Sequence, residues 1–307
     1  MKILVVGAGA IGGYFGGRLL EKGEDVTFLV REGRKKQLEK TGLRIESVHG
    51  NVELSPRLLL ANEMTEKFDV VLISTKSYQL SDAIKDVKPY LAKDGMVLPL
   101  LNGIAHLERL IEAFGENSVI GGLCFVETTL DQKGTIIQNS PVHQLVYGER
   151  TGERSSRIER LKLVFDGSKA DFVLSEDINQ DMWHKYLFIT AMSGITSLME
   201  SPIGPIRDTE SGQRIISALM NEISGIMKKL DAPIKHDIAE IQLKRFFDLE
   251  EDMKSSMQRD MEKTLPTEAN HLQGYLLEKA KEHDMEIPIL ETIYTKLDLY
   301  EKARLQL

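Results

Sequence analysis

Apolar residues along the first half of the chain gather in short runs, and polar segments separate them. The runs are Ile3-Leu-Val-Val6, Asp25 to Val30, Phe68 to Ser74, Met96 to Leu101 and Ser118 to Val126. Runs of this length with β-branched residues read as buried strands. Helix-like stretches such as Ile104 to Phe114 lie between some of them. This alternation predicts a parallel sheet covered on both faces by helices. Thr135 to Gly148 reads as a further strand, Arg157 to Phe165 as a helix and Asp171 to Leu174 as a short closing strand.

From about Ile178 the period lengthens. Met182, Tyr186, Leu187, Thr190 and Ala191 fit one helix, and helical runs continue over Gln213 to Leu230, His236 to Asp248, Thr267 to His283 and Ile289 to Arg304. Pro288 suits the first position of the last helix. Two domains are therefore expected, residues 1–176 built on the sheet and residues 177–307 mostly helical. A length of 307 residues allows each its own core.

Composition narrows the partners. A formal net charge of −8 opposes nucleic acid or an anionic membrane. The single cysteine, Cys124, excludes an intrachain disulfide and fits a reducing compartment. Lys2 and the apolar run behind it resemble the start of a signal peptide, but Arg18 interrupts the run before any spanning length, and the glycines explain it better. A cytoplasmic protein is expected. No Cys/His spacing of the metal-binding kind occurs, so no metal site is expected.

Gly7-Ala8-Gly9-Ala10-Ile11-Gly12 directly follows the first strand and opens a helix with apolar positions Ile11, Phe15, Leu19 and Leu20. In that context G-x-G-x-x-G marks a dinucleotide site. Gly7 permits a tight turn, Gly9 lets backbone approach a pyrophosphate, and Gly12 lets helix pack on strand. The fold class expected is α/β: an N-terminal Rossmann-type doubly wound sheet followed by a mostly α-helical C-terminal domain. The second strand ends in Arg31, where NAD-preferring versions place an acid, so a 2′-phosphate and hence NADP(H) are expected. Arg34, Lys35 and Lys36 add positive charge there.

Ligands of such sheets lie beyond the carboxyl ends of the strands. Lys76, with Gln79 in the loop Ser74 to Gln79, is either a solvent lysine or a cofactor contact. Asn102 in Leu101-Asn102-Gly103 is either a turn asparagine or a residue facing cofactor and substrate. Trp183-His-Lys185-Tyr places a lysine in an apolar helix, as a snorkelling surface residue or a working one. Ser255-Ser256 and Thr267-Glu268 offer a hydroxyl and a carboxylate near helix starts, where Glu268 could equally serve the helix dipole. His184 and His271 neighbour these residues and could serve as proton donors, but ordinary packing or solvated roles are expected for both.

Across nearly its whole length the chain resembles the ketopantoate reductase (2-dehydropantoate 2-reductase) family. The resemblance rests on the glycine fingerprint, Lys76 with Gln79, Asn102-Gly103, Trp183-x-Lys185, Ser255-Ser256-Met with Asp260, and Thr267-Glu268 followed by Gly274-Tyr275. It implies NADPH-dependent reduction of ketopantoate to pantoate in pantothenate biosynthesis, in a cleft between the domains. Lys185 would be the catalytic lysine and Glu268 the essential acid. Asn102 would stand near cofactor and substrate, Ser256 would bind substrate, and Lys76 and Gln79 would lie beside the cofactor phosphates. The partner implied is a small 2-oxo acid, with homodimer formation left open.

The chain also departs from the family pattern. The usual helix reads W-x-K-L-x-x-N-x-x-x-N-x-L-T-A, and here Ile189 and Ser193 occupy the asparagine positions. Ile203 replaces a third asparagine, and Ala-Asn follows Glu268 where Ile-Asp is usual. On a helix Lys185, Ile189, Met192 and Ser193 share a face. That face has lost amides that hold substrate oxygens, each a loss of about 1–3 kcal/mol. Ser193 is left as the polar substrate-facing candidate. A less hydroxylated or bulkier 2-oxo acid is the nearest alternative substrate, and a non-catalytic NADPH sensor is a more distant one.

Overall fold

The computed structural model describes residues 1–61, 63 and 66–306. The chain divides into two compact units, one comprising Met1–Leu101 with His106–Ile178, the other Asn102–Ala105 with Asn179–Leu307.

The first unit is built on β1 (Lys2–Val6), β2 (Asp25–Leu29), β3 (Leu43–Ser47), β4 (Val52–Leu54), β5 (Arg57–Leu59), β6 (Phe68–Ile73), β7 (Leu91–Pro99), β8 (Gly121–Leu130), β9 (Ile136–Gly148) and β10 (Asp171–Leu174). Its helices are α1 (Ala10–Lys22), α2 (Glu32–Thr41), α3 (Leu80–Val87), α4 (His106–Phe114) and α5 (Ser156–Phe165). Five strands form a parallel sheet in the order β5-β2-β1-β6-β7. Successive residues of a strand point to opposite faces. Ile3 and Val5 accordingly join a core with Tyr14, Phe15 and Leu19 of α1, while Leu4 and Val6 join another with Leu80 and Leu110 of α3 and α4. Burial on both faces is why β1 reads as an unbroken apolar run.

Just before β8, Val119 still bridges Val97 of β7 in parallel, but β8 and the later strands depart from the sequence-based expectation that they extend this sheet. β8 and β9 pair antiparallel, and β9 pairs parallel with both β3 and β10, giving a separate mixed sheet. The reason is the short link between them. Asp131 Oδ1 accepts from Lys133 N and Thr135 N, and a parallel pairing would need a long crossover. Strands β4 and β5 are too short for the apolar runs to announce them, and β3 alternates apolar with polar residues rather than forming a run. Cys124 lies buried in β8.

The second unit is helical: α6 (Ile178–Met199), α7 (Ile203–Arg207), α8 (Glu210–Lys229), α9 (Ile238–Phe247), α10 (Ser256–Glu262), α11 (Tyr275–Glu282) and α12 (Pro288–Arg304). The core side of α8 repeats at helical spacing through Ile216, Leu219, Met220, Ile223, Ile226 and Met227. Thr209 caps that helix by accepting from Gly212 N at 2.9 Å. Before α11 the chain makes a wide π-helical turn over Asn270–Gly274. No helix among the described residues is long and apolar enough to cross a membrane.

Candidate active site

The glycine motif shapes a cradle at the start of α1. Gly7 takes φ +90°, a left-handed conformation that side chains disfavour, and its N–H bonds the Leu29 carbonyl at 3.0 Å. Gly9 caps the helix with extended backbone, and a Cβ there would meet nothing within 4 Å. A Cβ at Gly12 would stand 2.1 Å from Ser74 Oγ and 2.4 Å from the Gly7 carbonyl oxygen, so helix and strand loops are in direct contact. Ala8 is buried, while Ala10 and Ile11 are half-buried. No side chain caps α1 and no acid occupies its first turn. The first amides of a long helix are therefore left with their positive field uncancelled, which fits a pyrophosphate.

Around the end of β2 the basic residues divide sharply. Arg34 Nε donates to the Ala8 carbonyl at 3.0 Å and its other nitrogens bond Gln37 and the Gly134 carbonyl. Lys35 pairs with Glu63 and Lys36 with Glu32. The positive charge expected from these three residues is thus shared with neighbouring groups. Arg31 is exposed, caps α2, and has no side-chain partner among the described residues. Lys76 lies half-buried before a 3-10 turn over Ser77–Gln79, where the Gln79 N–H bonds the Lys76 carbonyl at 2.9 Å. These residues share the first unit with the glycine cradle.

In the second unit, Lys185 Nζ donates to Asn102 Oδ1 at 2.9 Å. Asn102 sits in a turn where Gly103 adopts φ +79°, and a Cβ on Gly103 would come within 2.9 Å of Leu272. Lys185 and Ile189 are half-buried, whereas Met192 and Ser193 are buried. Ser193 Oγ accepts from Gln273 Nε2 at 2.8 Å and donates to the Thr190 carbonyl at 3.3 Å. Its hydroxyl is engaged inside the unit, so the structure shows it tying α6 to the π-helical turn. Ile203 is fully buried at the start of α7, its N–H bonded to the Met253 carbonyl.

Glu268 is half-buried just before the π-helical turn, and its carbonyl accepts from the amides of His271 and Leu272, both at 3.0 Å. Ser256 is exposed at the first position of α10. The cap is its neighbour: Ser255 Oγ accepts from Gln258 N and lies 2.9 Å from Thr196 Oγ1 of α6. Sequence reasoning missed Gln273 and gave His271 only an ordinary role. His271 Nε2 lies 2.9 Å from the Asn102 carbonyl oxygen across 169 residues of sequence, a separation that no local pattern signals.

A five-stranded parallel sheet in this order, with G-x-G-x-x-G at its first helix, defines the dinucleotide-binding class of fold. The family model described as "Ketopantoate reductase PanE/ApbA" matches residues 3–152, and its C-terminal counterpart matches residues 177–301. The chain is 48% identical over 304 residues to an uncharacterized oxidoreductase, YkpB, of Bacillus subtilis, covering 99% of this chain and 100% of the relative. It is 27% identical over 308 residues to a 2-dehydropantoate 2-reductase of a Nostoc species, covering 96% of this chain and 94% of that one. Among solved structures, D-mandelate dehydrogenase with NADH and anilino(oxo)acetate shares the fold, with TM-score 0.89, 20% identity and 99% coverage of each chain. The protein belongs to the ketopantoate reductase family of NAD(P)-dependent oxidoreductases.

Proposed function

We propose that the protein is an NADPH-dependent 2-oxo acid reductase that converts ketopantoate to pantoate. The observation that carries this reading is the 2.9 Å bond from Lys185 to Asn102. It holds an ammonium group in place on α6, ready to act as an acid. The bound cofactor supplies the hydride that reaches the substrate C2 carbonyl. Lys185 polarises that carbonyl oxygen and delivers a proton to it as negative charge develops, so charge stabilisation and proton transfer fall to one residue. Asn102 orients Lys185, Glu268 orients the substrate hydroxyl and the lysine, and Ser256 receives the carboxylate. The glycine cradle takes the pyrophosphate, with Lys76 and Gln79 beside the phosphates, and Arg31 takes the 2′-phosphate that distinguishes NADPH from NADH.

A second reading keeps the chemistry and changes the acid. Ile189 lies one turn beyond Lys185, Ser193 is engaged by Gln273, and Ile203 is buried, which favours a 2-oxo acid with a less hydroxylated side chain. A panel of 2-oxo acids ranked by kcat/KM separates the two readings. Ketopantoate at the head of the ranking supports the first. A preference of tenfold or more, about 1.4 kcal/mol, for an acid lacking the hydroxyl supports the second.

A further inference from the structure

The segment after Glu268 does more than begin a helix. Over Asn270–Gly274 the backbone widens into a π-helical turn, a geometry that recurs at functional sites. Three consecutive residues of it grip the elements that carry Lys185. His271 Nε2 meets the Asn102 carbonyl at 2.9 Å, the Leu272 carbonyl accepts from Tyr186 Oη at 2.5 Å, and Gln273 Nε2 reaches both the Thr190 carbonyl and Ser193 Oγ. Tyr186 and Gln273 are fully buried, so this side of the clamp is closed to water.

A carbonyl oxygen only accepts, so the His271 ring must carry its proton on Nε2. The same residue whose backbone accepts from His271 presents its side chain to Lys185. We propose that His271 is a positioning residue: by donating to the Asn102 carbonyl it fixes the turn whose carboxamide aims the Lys185 ammonium. The inference rests on the reductase reading for its consequence and on geometry for its substance. Gly103 leaves the turn little steric restraint of its own, because a glycine at φ +79° is free to take many other conformations. Loss of the histidine bond therefore loosens Asn102, and Lys185 with it. Misplacement of a reacting group by about 1 Å costs on the order of 10²-fold in rate.

The chain contains a single Asn-Gly pair, Asn102-Gly103. Protein labelled with 13C in asparagine carbonyls and 15N in glycine gives one carbonyl–amide correlation, a direct probe of the acceptor without turnover. His271→Ala should move that carbonyl resonance upfield and lower kcat on the order of 10²-fold, with the Kd for NADPH unchanged. His271→Gln places an amide N–H near the Nε2 position and should restore both the resonance and most of kcat. A carbonyl resonance unmoved in His271→Ala, or a His271→Gln enzyme as impaired as His271→Ala, would overturn the proposal. Wild-type protein that reduces no 2-oxo acid would contradict the reductase reading alone, and the carbonyl resonance would still decide whether His271 holds the turn.

Discussion

At the scale of single residues, the basic groups after β2 give the clearest test of cofactor choice. Arg34, Lys35 and Lys36 are paired with neighbours, and Arg31 is the residue we propose receives a 2′-phosphate. A charge-assisted hydrogen bond contributes about 1.5–3 kcal/mol, which is roughly 10- to 100-fold in affinity. Arg31→Ala should therefore weaken NADPH binding by that factor and leave NADH binding nearly unchanged, as measured by titration of the cofactor. Equal losses for both cofactors would contradict the assignment. The position of Arg31 just past β2 was legible in the sequence because a strand end is a local feature. Ser193 shows the opposite. Its place on the lysine face was legible, but its engagement by Gln273 depends on a contact across 80 residues.

At the scale of elements, the apolar runs located β1, β6, β10 and the long helices because each buries a continuous or periodic face. They did not reveal the second sheet. Pairing direction depends on connection length, and the tight link at Asp131 is what turns β9 back on β8. The junction of β9 with α5 offers a test by pH. Glu149, 8% exposed, accepts from Ser155 Oγ and from two nitrogens of Arg157. Burial pushes its carboxyl up, but the bonds from Arg157 and Ser155, with the charges of Arg157 and Arg150, outweigh it and hold the group below its ordinary 4.5. A carboxyl depressed in the folded state contributes stability that is fully present above its unfolded value and lost as pH falls through the folded one. Glu149→Gln should therefore cost about 1–3 kcal/mol at neutral pH. The difference in Tm from wild type should shrink as the solution is acidified below about pH 4.5. A gap that is constant with pH would show that the carboxylate charge is not what holds the junction.

At the scale of the whole molecule, one unit carries the glycine cradle and the other carries Lys185, bonded to Asn102, together with Glu268. The dinucleotide class was readable from the glycines in their strand–helix context. The membership of Asn102–Ala105 in the helical unit was not, because that short segment follows a strand of the sheet and joins α6 only through folding. The central claim is that Lys185 is the proton donor in an NADPH-dependent reduction. The most direct test compares the rate of NADPH oxidation by wild-type protein and by Lys185→Ala in the presence of ketopantoate, with cofactor affinity measured for both. The account predicts substantial turnover by the wild type, a loss of about 10²–10⁴-fold in kcat for the variant, and the same NADPH affinity in each. A Lys185→Ala protein that turns over at the wild-type rate would contradict it.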